Sequence, residues 1–154
     1  MIGRRQPPPA LIGTPDDAEA QFYEALQQGD LERLMSVWAD DDEILCVHPG
    51  GGRLIGAAAI RASFEAIFAS GGGVPARPEQ VHKLHQIGSA LHHLVERITV
   101  PAEGGGTQDA WVLVSNFYVK TAQGWRLAAH HASPAMPHDV PLTMQGGDGP
   151  STLH

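Results

Sequence analysis

The 154-residue chain carries seventeen acidic against ten basic side chains, a formal charge of -7, and 42% hydrophobic residues. That length predicts one domain with a real core, burying about 70% of the surface its unfolded chain exposes. Ten of the acids fall between Asp16 and Glu43, where Arg33 is the only base, a balance that repels a phosphate backbone.

No nucleic-acid partner is therefore expected. The single Cys46 excludes a disulfide within the chain. No apolar run approaches the roughly 18 residues of a membrane span, so no membrane partner is expected either. Arg4 and Arg5 are followed by Gln6 and three prolines rather than by an apolar stretch, which argues against an export signal. The expected compartment is the cytoplasm.

Residues 1–13 are proline-rich and expected to be flexible, as is the tail 135–154, rich in glycine and proline and without periodicity. The folded unit is expected at 14–134. Thr14 can cap a helix that Pro15 opens, and Asp16 and Asp17 favour the positive end of its dipole. Ala18, Phe22, Ala25 and Leu26 then recur on one helical face, and Gly29 stops the helix. Asp30 caps a second, short helix with Leu31, Leu34, Met35 and Trp38 on one side.

Glu43 to His48 reads as a strand apolar on both faces, so the pattern does not say which face is inward. The turn Pro49-Gly50-Gly51-Gly52 returns it through Arg53-Leu54-Ile55 as a hairpin. A third helix is predicted over 57–70, carrying Ile60, Phe64, Ile67 and Phe68 on one side. Strands follow at 79–87, 90–100 (Leu94, Ile98 and Val100 on one face), 109–120 and 124–134. Helices first and an antiparallel meander after them predict an α+β fold.

In the last strand, period-two reading puts Trp125, Leu127, Ala129, His131 and Ser133 on one face, apolar at one end and polar at the other. His131 is then the inward histidine and His130 the outward one.

The order of elements resembles the nuclear transport factor 2-like superfamily, which includes ketosteroid isomerase and SnoaL-like cyclases. The local residues resemble its SnoaL-like branch of uncharacterised bacterial proteins. They are Gly29-Asp30 with Leu34-Met35-Ser36-Val37-Trp38-Ala39-Asp40, Cys46-Val47-His48-Pro49-Gly50-Gly51, Gly56 with Ile60, Ser115-Asn116-Phe117-Tyr118-Val119, and Gly124-Trp125-Arg126-Leu127 through Pro134. The resemblance implies a cone: three N-terminal helices on a curved, mainly antiparallel mixed sheet, wrapped around a pocket, and a homodimer through the sheet. Ketosteroid isomerase needs an aspartate base and an oxyanion hole of tyrosine and protonated aspartate. The strand interiors here supply His131 and Asn116 and no aspartate, which argues against steroid isomerisation.

His131 is the leading catalytic candidate, because a neutral imidazole can exchange a proton near pH 7. His48 is the second; in the implied fold its hairpin lies beside the last strand, where the two could meet. The expected ligand pocket comprises Tyr23, Trp38, His48, Phe64, Asn116, Tyr118 and His131, and suits a small apolar molecule. Each has a plainer role as core or as a satisfied polar group. No cofactor and no metal are expected: there is no Cys-x-x-Cys, and the histidine pairs His82/His85 and His92/His93 fit no ligand spacing unless strands converge. Two kinds of function remain open. One is binding of a small carbonyl compound with histidine-assisted proton transfer of isomerase, dehydratase or hydrolase type. The other is a non-catalytic binding or dimerisation module.

Overall fold

A computed structural model describes residues 11–136; of the flexible stretches expected at 1–13 and 135–154, residues 1–10 and 137–154 lie outside the described residues. Helices α1 (Pro15–Gln28), α2 (Leu31–Val37) and α3 (Ala57–Gly71) pack on strands β1 (Leu45–Val47), β2 (Arg53–Ile55), β3 (Ala76–His85), β4 (Ser89–Pro101), β5 (Thr107–Thr121) and β6 (Gly124–Pro134). The predicted α+β class holds, and the six strands form one curved sheet in the order β2-β1-β6-β5-β4-β3. Every neighbouring pair is antiparallel except β1 and β6.

The helix signals act as the sequence predicts. Thr14 accepts from Asp17 N at 3.0 Å and Asp30 from Arg33 N at 3.1 Å, each satisfying an orphan amide of the first turn. Gly29 closes α1 with a left-handed φ of 68°. Ala18, Phe22, Ala25 and Leu26 are buried against the sheet, as are Leu34, Trp38, Ile60 and Phe64.

Several boundaries differ from expectation, two of them by a tertiary contact. Strand β3 begins at Ala76 and ends at His85, because Gln27 Nε2 donates to Ala76 O at 2.7 Å and Val74 N to Leu26 O at 2.9 Å, tying its start to α1. Ile12, placed by the sequence in the flexible stretch, is buried and bridges to Gly124.

The register sorts the sheet into rows. On the inner face Leu54, Cys46, His130, Asn116, His92 and Lys83 stand side by side from β2 to β3. One residue along, the outer row is Ile55, Leu45, Ala129, Phe117, Leu91 and Leu84. A second outer cluster joins Val95, Trp111 and Ala135.

The last strand breaks its own alternation. Phe117 pairs with Ala129 but Tyr118 with Leu127, so Ala128 is an extra residue with no partner of its own. This is a β-bulge, and it reverses the parity beyond it. Leu127 is buried before the bulge; His130 and Ala132 are buried after it, and His131 and Ser133 are exposed. The expected inward face of Ala129, His131 and Ser133 is therefore the outward one.

Candidate functional site

The inner face carries a chain of four polar side chains from α1, β4, β5 and β6. Tyr23 Oη donates to Glu96 Oε2 at 2.7 Å; Asn116 Nδ2 donates to Tyr23 Oη at 3.2 Å; Asn116 Oδ1 lies 2.6 Å from His130 Nδ1. A carbonyl oxygen only accepts, so the His130 proton sits on Nδ1 and Nε2 keeps its lone pair. All four residues are at most 5% exposed. The sequence places them there because each lies on the inward parity of its element: Tyr23 next to Phe22 on α1, Glu96 two residues after Leu94, Asn116 two after Val114.

Burial sets the protonation. It pushes the Glu96 carboxyl up to about 7, partly offset by the Tyr23 hydrogen bond. It pushes His130 down to about 3, helped by the nearby His48 and His131 imidazoles. Tyr23 is held well above its ordinary value by burial and then by the Glu96 carboxylate, so it stays a donor. At neutral pH the chain thus has a carboxyl poised to gain or lose a proton at one end and a neutral imidazole acceptor at the other.

His48 stands beside this chain. Its Nε2 lies 3.0 Å from Ser63 Oγ, whose own proton goes to Ile60 O at 2.7 Å. Ser63 can then only accept, so His48 Nε2 is the donor and Nδ1 the bare nitrogen. Its ring meets Phe64 edge-on at 4.9 Å, and burial lowers its pKa. Cys46, next to His130 in the row, is pushed up to about 12 by burial and is no nucleophile at neutral pH.

Of the predicted pocket residues, Tyr23, Asn116, Phe64 and His48 come together on this face. Tyr118 is buried there too, its ring against His92 at 5.0 Å and its hydroxyl without a hydrogen-bond partner. Trp38 lies apart, at the end of α2, on a separate cavity of about 310 Å³. His131 is on the opposite face in a row with Val47, Ser115 and His93, so it does not line the inner face where His48 stands.

A second cluster sits where α1 crosses β3 and β4. Glu19 Oε1 accepts from His92 Nδ1 at 3.1 Å, which leaves His92 Nε2 to accept from His85 Nε2 at 2.9 Å. Asp16, His85 and His92 bring ligand-type atoms within 4.8 Å of one another, so the convergence across strands that spacing alone did not supply is present. These are the residues that could hold a metal, although Lys83 Nζ already occupies Asp16 Oδ1 at 3.0 Å and lowers its pKa.

Residues 16–137 match the family model of the SnoaL-like domain. The chain belongs to the SnoaL-like family. A "Putative calcium/calmodulin-dependent protein kinase type II association domain" from Thiobacillus denitrificans is 33% identical, with 85% of this chain and all of that chain (100%) covered and a TM-score of 0.73. A "putative dehydratase from the NTF2-like family" of Streptomyces avermitilis is 30% identical over 79% of this chain and 99% of that one, TM-score 0.69. A ketosteroid isomerase-like protein from Erwinia carotovora atroseptica, at 17% identity, 82% and 95% coverage and TM-score 0.63, shares the fold. No curated protein matches the chain significantly.

In this SnoaL-like domain, sequence reasoning missed Glu96, Glu19, His92 and His130. A signal existed for two of them. The face read as Leu94, Ile98 and Val100 also holds His92 and Glu96, a base and an acid on an otherwise apolar parity. For His130 no local signal existed, because the bulge depends on pairing with β5.

Proposed function

We propose that the SnoaL-like domain binds a small carbonyl compound on its inner face and exchanges a proton with it, in the manner of an isomerase or dehydratase. Glu96 is the acid–base group. Tyr23 orients it, Asn116 holds Tyr23 and His130 in register, and His130 Nε2 accepts a hydrogen bond from a substrate hydroxyl. The observation that carries this reading is the buried Glu96 carboxyl, raised to about 7 and hydrogen-bonded to Tyr23. Paired groups whose environments push their pKa values apart are a mark of acid–base sites. The similar protein named a "putative dehydratase" agrees with that chemistry. The test is a thermal-shift screen of small carbonyl and hydroxy-carbonyl compounds, followed by turnover assays on the hits. Glu96→Gln should abolish turnover and leave binding in place; a variant that turns over at the wild-type rate ends this reading.

A second reading has its own observation. The outer row Ile55, Leu45, Ala129, Phe117, Leu91 and Leu84 is apolar across all six strands. Phe117 and Leu84 are exposed, at 38% and 69%. Such a face suits a second copy of the same chain, burying the row in a homodimer through the sheet. The similarity to a protein named as an association domain supports it. The two readings are compatible, since one uses the inner face and the other the outer.

A further inference from the structure

The hairpin of β3 and β4 brings together two histidines that the sequence keeps seven residues apart. His85 Nε2 lies 2.9 Å from His92 Nε2, and Asp16 Oδ1, in the first turn of α1, lies 3.7 Å from the same His92 nitrogen. The three ligand-type atoms are all within 4.8 Å of one another. Tetrahedral zinc, with bonds of about 2.0–2.1 Å to nitrogen or oxygen, separates its ligand atoms by roughly 3.3 Å. The observed spacings straddle that value. His85 and Asp16 are exposed side chains that can make up the difference, and their exposure leaves the remaining position open to water.

His92 is the anchor. It is fully buried, and its Nδ1–H donates to Glu19 Oε1 at 3.1 Å, which turns the Nε2 lone pair toward His85 and Asp16. A carboxylate behind the second ring nitrogen fixes the tautomer of a metal-bound histidine and raises its basicity. The His85 Nε2–H fills that lone pair at present. A cation takes its place when the His85 proton moves to Nδ1, on a ring exposed to water.

Two positive features face the same spot. Lys83 Nζ holds Asp16 Oδ1 at 3.0 Å, and the amides at the start of α1 carry a partial positive charge. Against them stand the carboxylates of Asp16 and Glu19, with Asp17 in the same first turn. Lys83 is 40% exposed on a flexible stem, so it can swing into solvent and yield Asp16 to a doubly charged ion. Two imidazoles with one carboxylate suit zinc and its neighbours; calcium and magnesium take oxygen ligands.

We propose that Asp16, His85 and His92 form a binding site for a zinc-class divalent cation, the histidines ligating through Nε2 and the aspartate through a carboxylate oxygen. The ion would join the start of α1 to the β3–β4 hairpin. The site stands whether or not Glu96 exchanges a proton with a substrate.

The test uses the untagged full chain, stripped with EDTA, and calorimetric titration with zinc chloride and magnesium chloride. One zinc ion per chain should bind at least about a hundredfold tighter than magnesium. His85→Gln and Asp16→Asn, both at exposed positions, should each weaken zinc binding by about tenfold or more. Lys83→Gln should tighten it by about two- to fivefold, because the competitor for Asp16 is gone. His82 and His93 pair on the outer face, so the double variant His82→Gln/His93→Gln should bind zinc as the wild type does. Zinc bound no tighter than magnesium, affinity unchanged by His85→Gln or by Asp16→Asn, weaker binding to Lys83→Gln, or loss of binding in the outer-face double variant would each overturn the proposal.

Discussion

The Tyr23 hydroxyl reaches across the interior to Glu96 Oε2 at 2.7 Å, joining residues 73 apart in the chain. That bond stabilises the carboxylate and holds the Glu96 pKa below where burial alone would place it. Tyr23→Phe should therefore raise the apparent pKa of Glu96 further. It should also destabilise the fold by about 1–3 kcal/mol, because Asn116 Nδ2 and Glu96 both lose a partner. Carbonyl-stretch infrared titration of the Glu96 carboxyl measures the first effect and denaturant unfolding the second. An unchanged Glu96 pKa would mean that the hydroxyl does not bear on the carboxylate.

Stability should respond to pH through Glu96 and His130 with opposite signs. Glu96 rises from 4.5 to about 7 on folding, so the folded state binds the extra proton. Its contribution is fully present below 4.5 and is lost as pH rises to about 7. His130 falls from 6.5 to about 3, so its contribution is present above 6.5 and is lost as pH falls toward 3. The two oppose each other between 4.5 and 6.5, where the wild-type stability should be nearly flat. Glu96→Gln should make stability climb with pH in that interval and His130→Gln should make it fall, each changing by roughly 2–3 kcal/mol across it. Urea unfolding at half-unit pH steps reads the slopes; identical slopes in the two variants would refute the assignment.

The outer apolar row predicts self-association. Phe117→Asp puts a charge in the middle of it, between Leu91 and Ala129. Light scattering coupled to gel filtration should show a dimer for the wild type and a monomer for the variant, with the circular dichroism unchanged because Phe117 faces away from the core. A dimeric Phe117→Asp would place the contact elsewhere.

Gly124 turns β5 into β6 at φ 99°, and a Cβ there would stand 2.5 Å from the Ile12 carbonyl oxygen. Trp125 N donates to that same oxygen at 2.8 Å, so the backbone cannot yield without losing the bond. Gly124→Ala should cost about 2–4 kcal/mol, combining unfavourable φ with steric overlap. A melting-midpoint loss confirms it, and the loss should persist in a chain truncated only before residue 11, since the contact is made by Ile12 itself.

Much of this architecture is written in short-range signals. The Thr14 and Asp30 caps, the Gly29 stop and the apolar faces of α1 to α3 depend on residues within a few positions of one another, and they fold as read. Strand existence and order were legible for the same reason, and so was the inward parity of Asn116, which lies on a regular stretch of β5. What the sequence could not determine was set by partners far along the chain. Ala128 is an extra residue only because Phe117 and Tyr118 pair with Ala129 and Leu127, and that one insertion turns His130 inward and His131 out to solvent. Likewise, Glu96 is an ordinary acid in the sequence; its pKa near 7 comes from burial between α1 and the sheet. Alternation is a local property of a strand, whereas register and burial are properties of the assembled sheet, so the tertiary structure alone decided which histidine and which carboxyl face the interior.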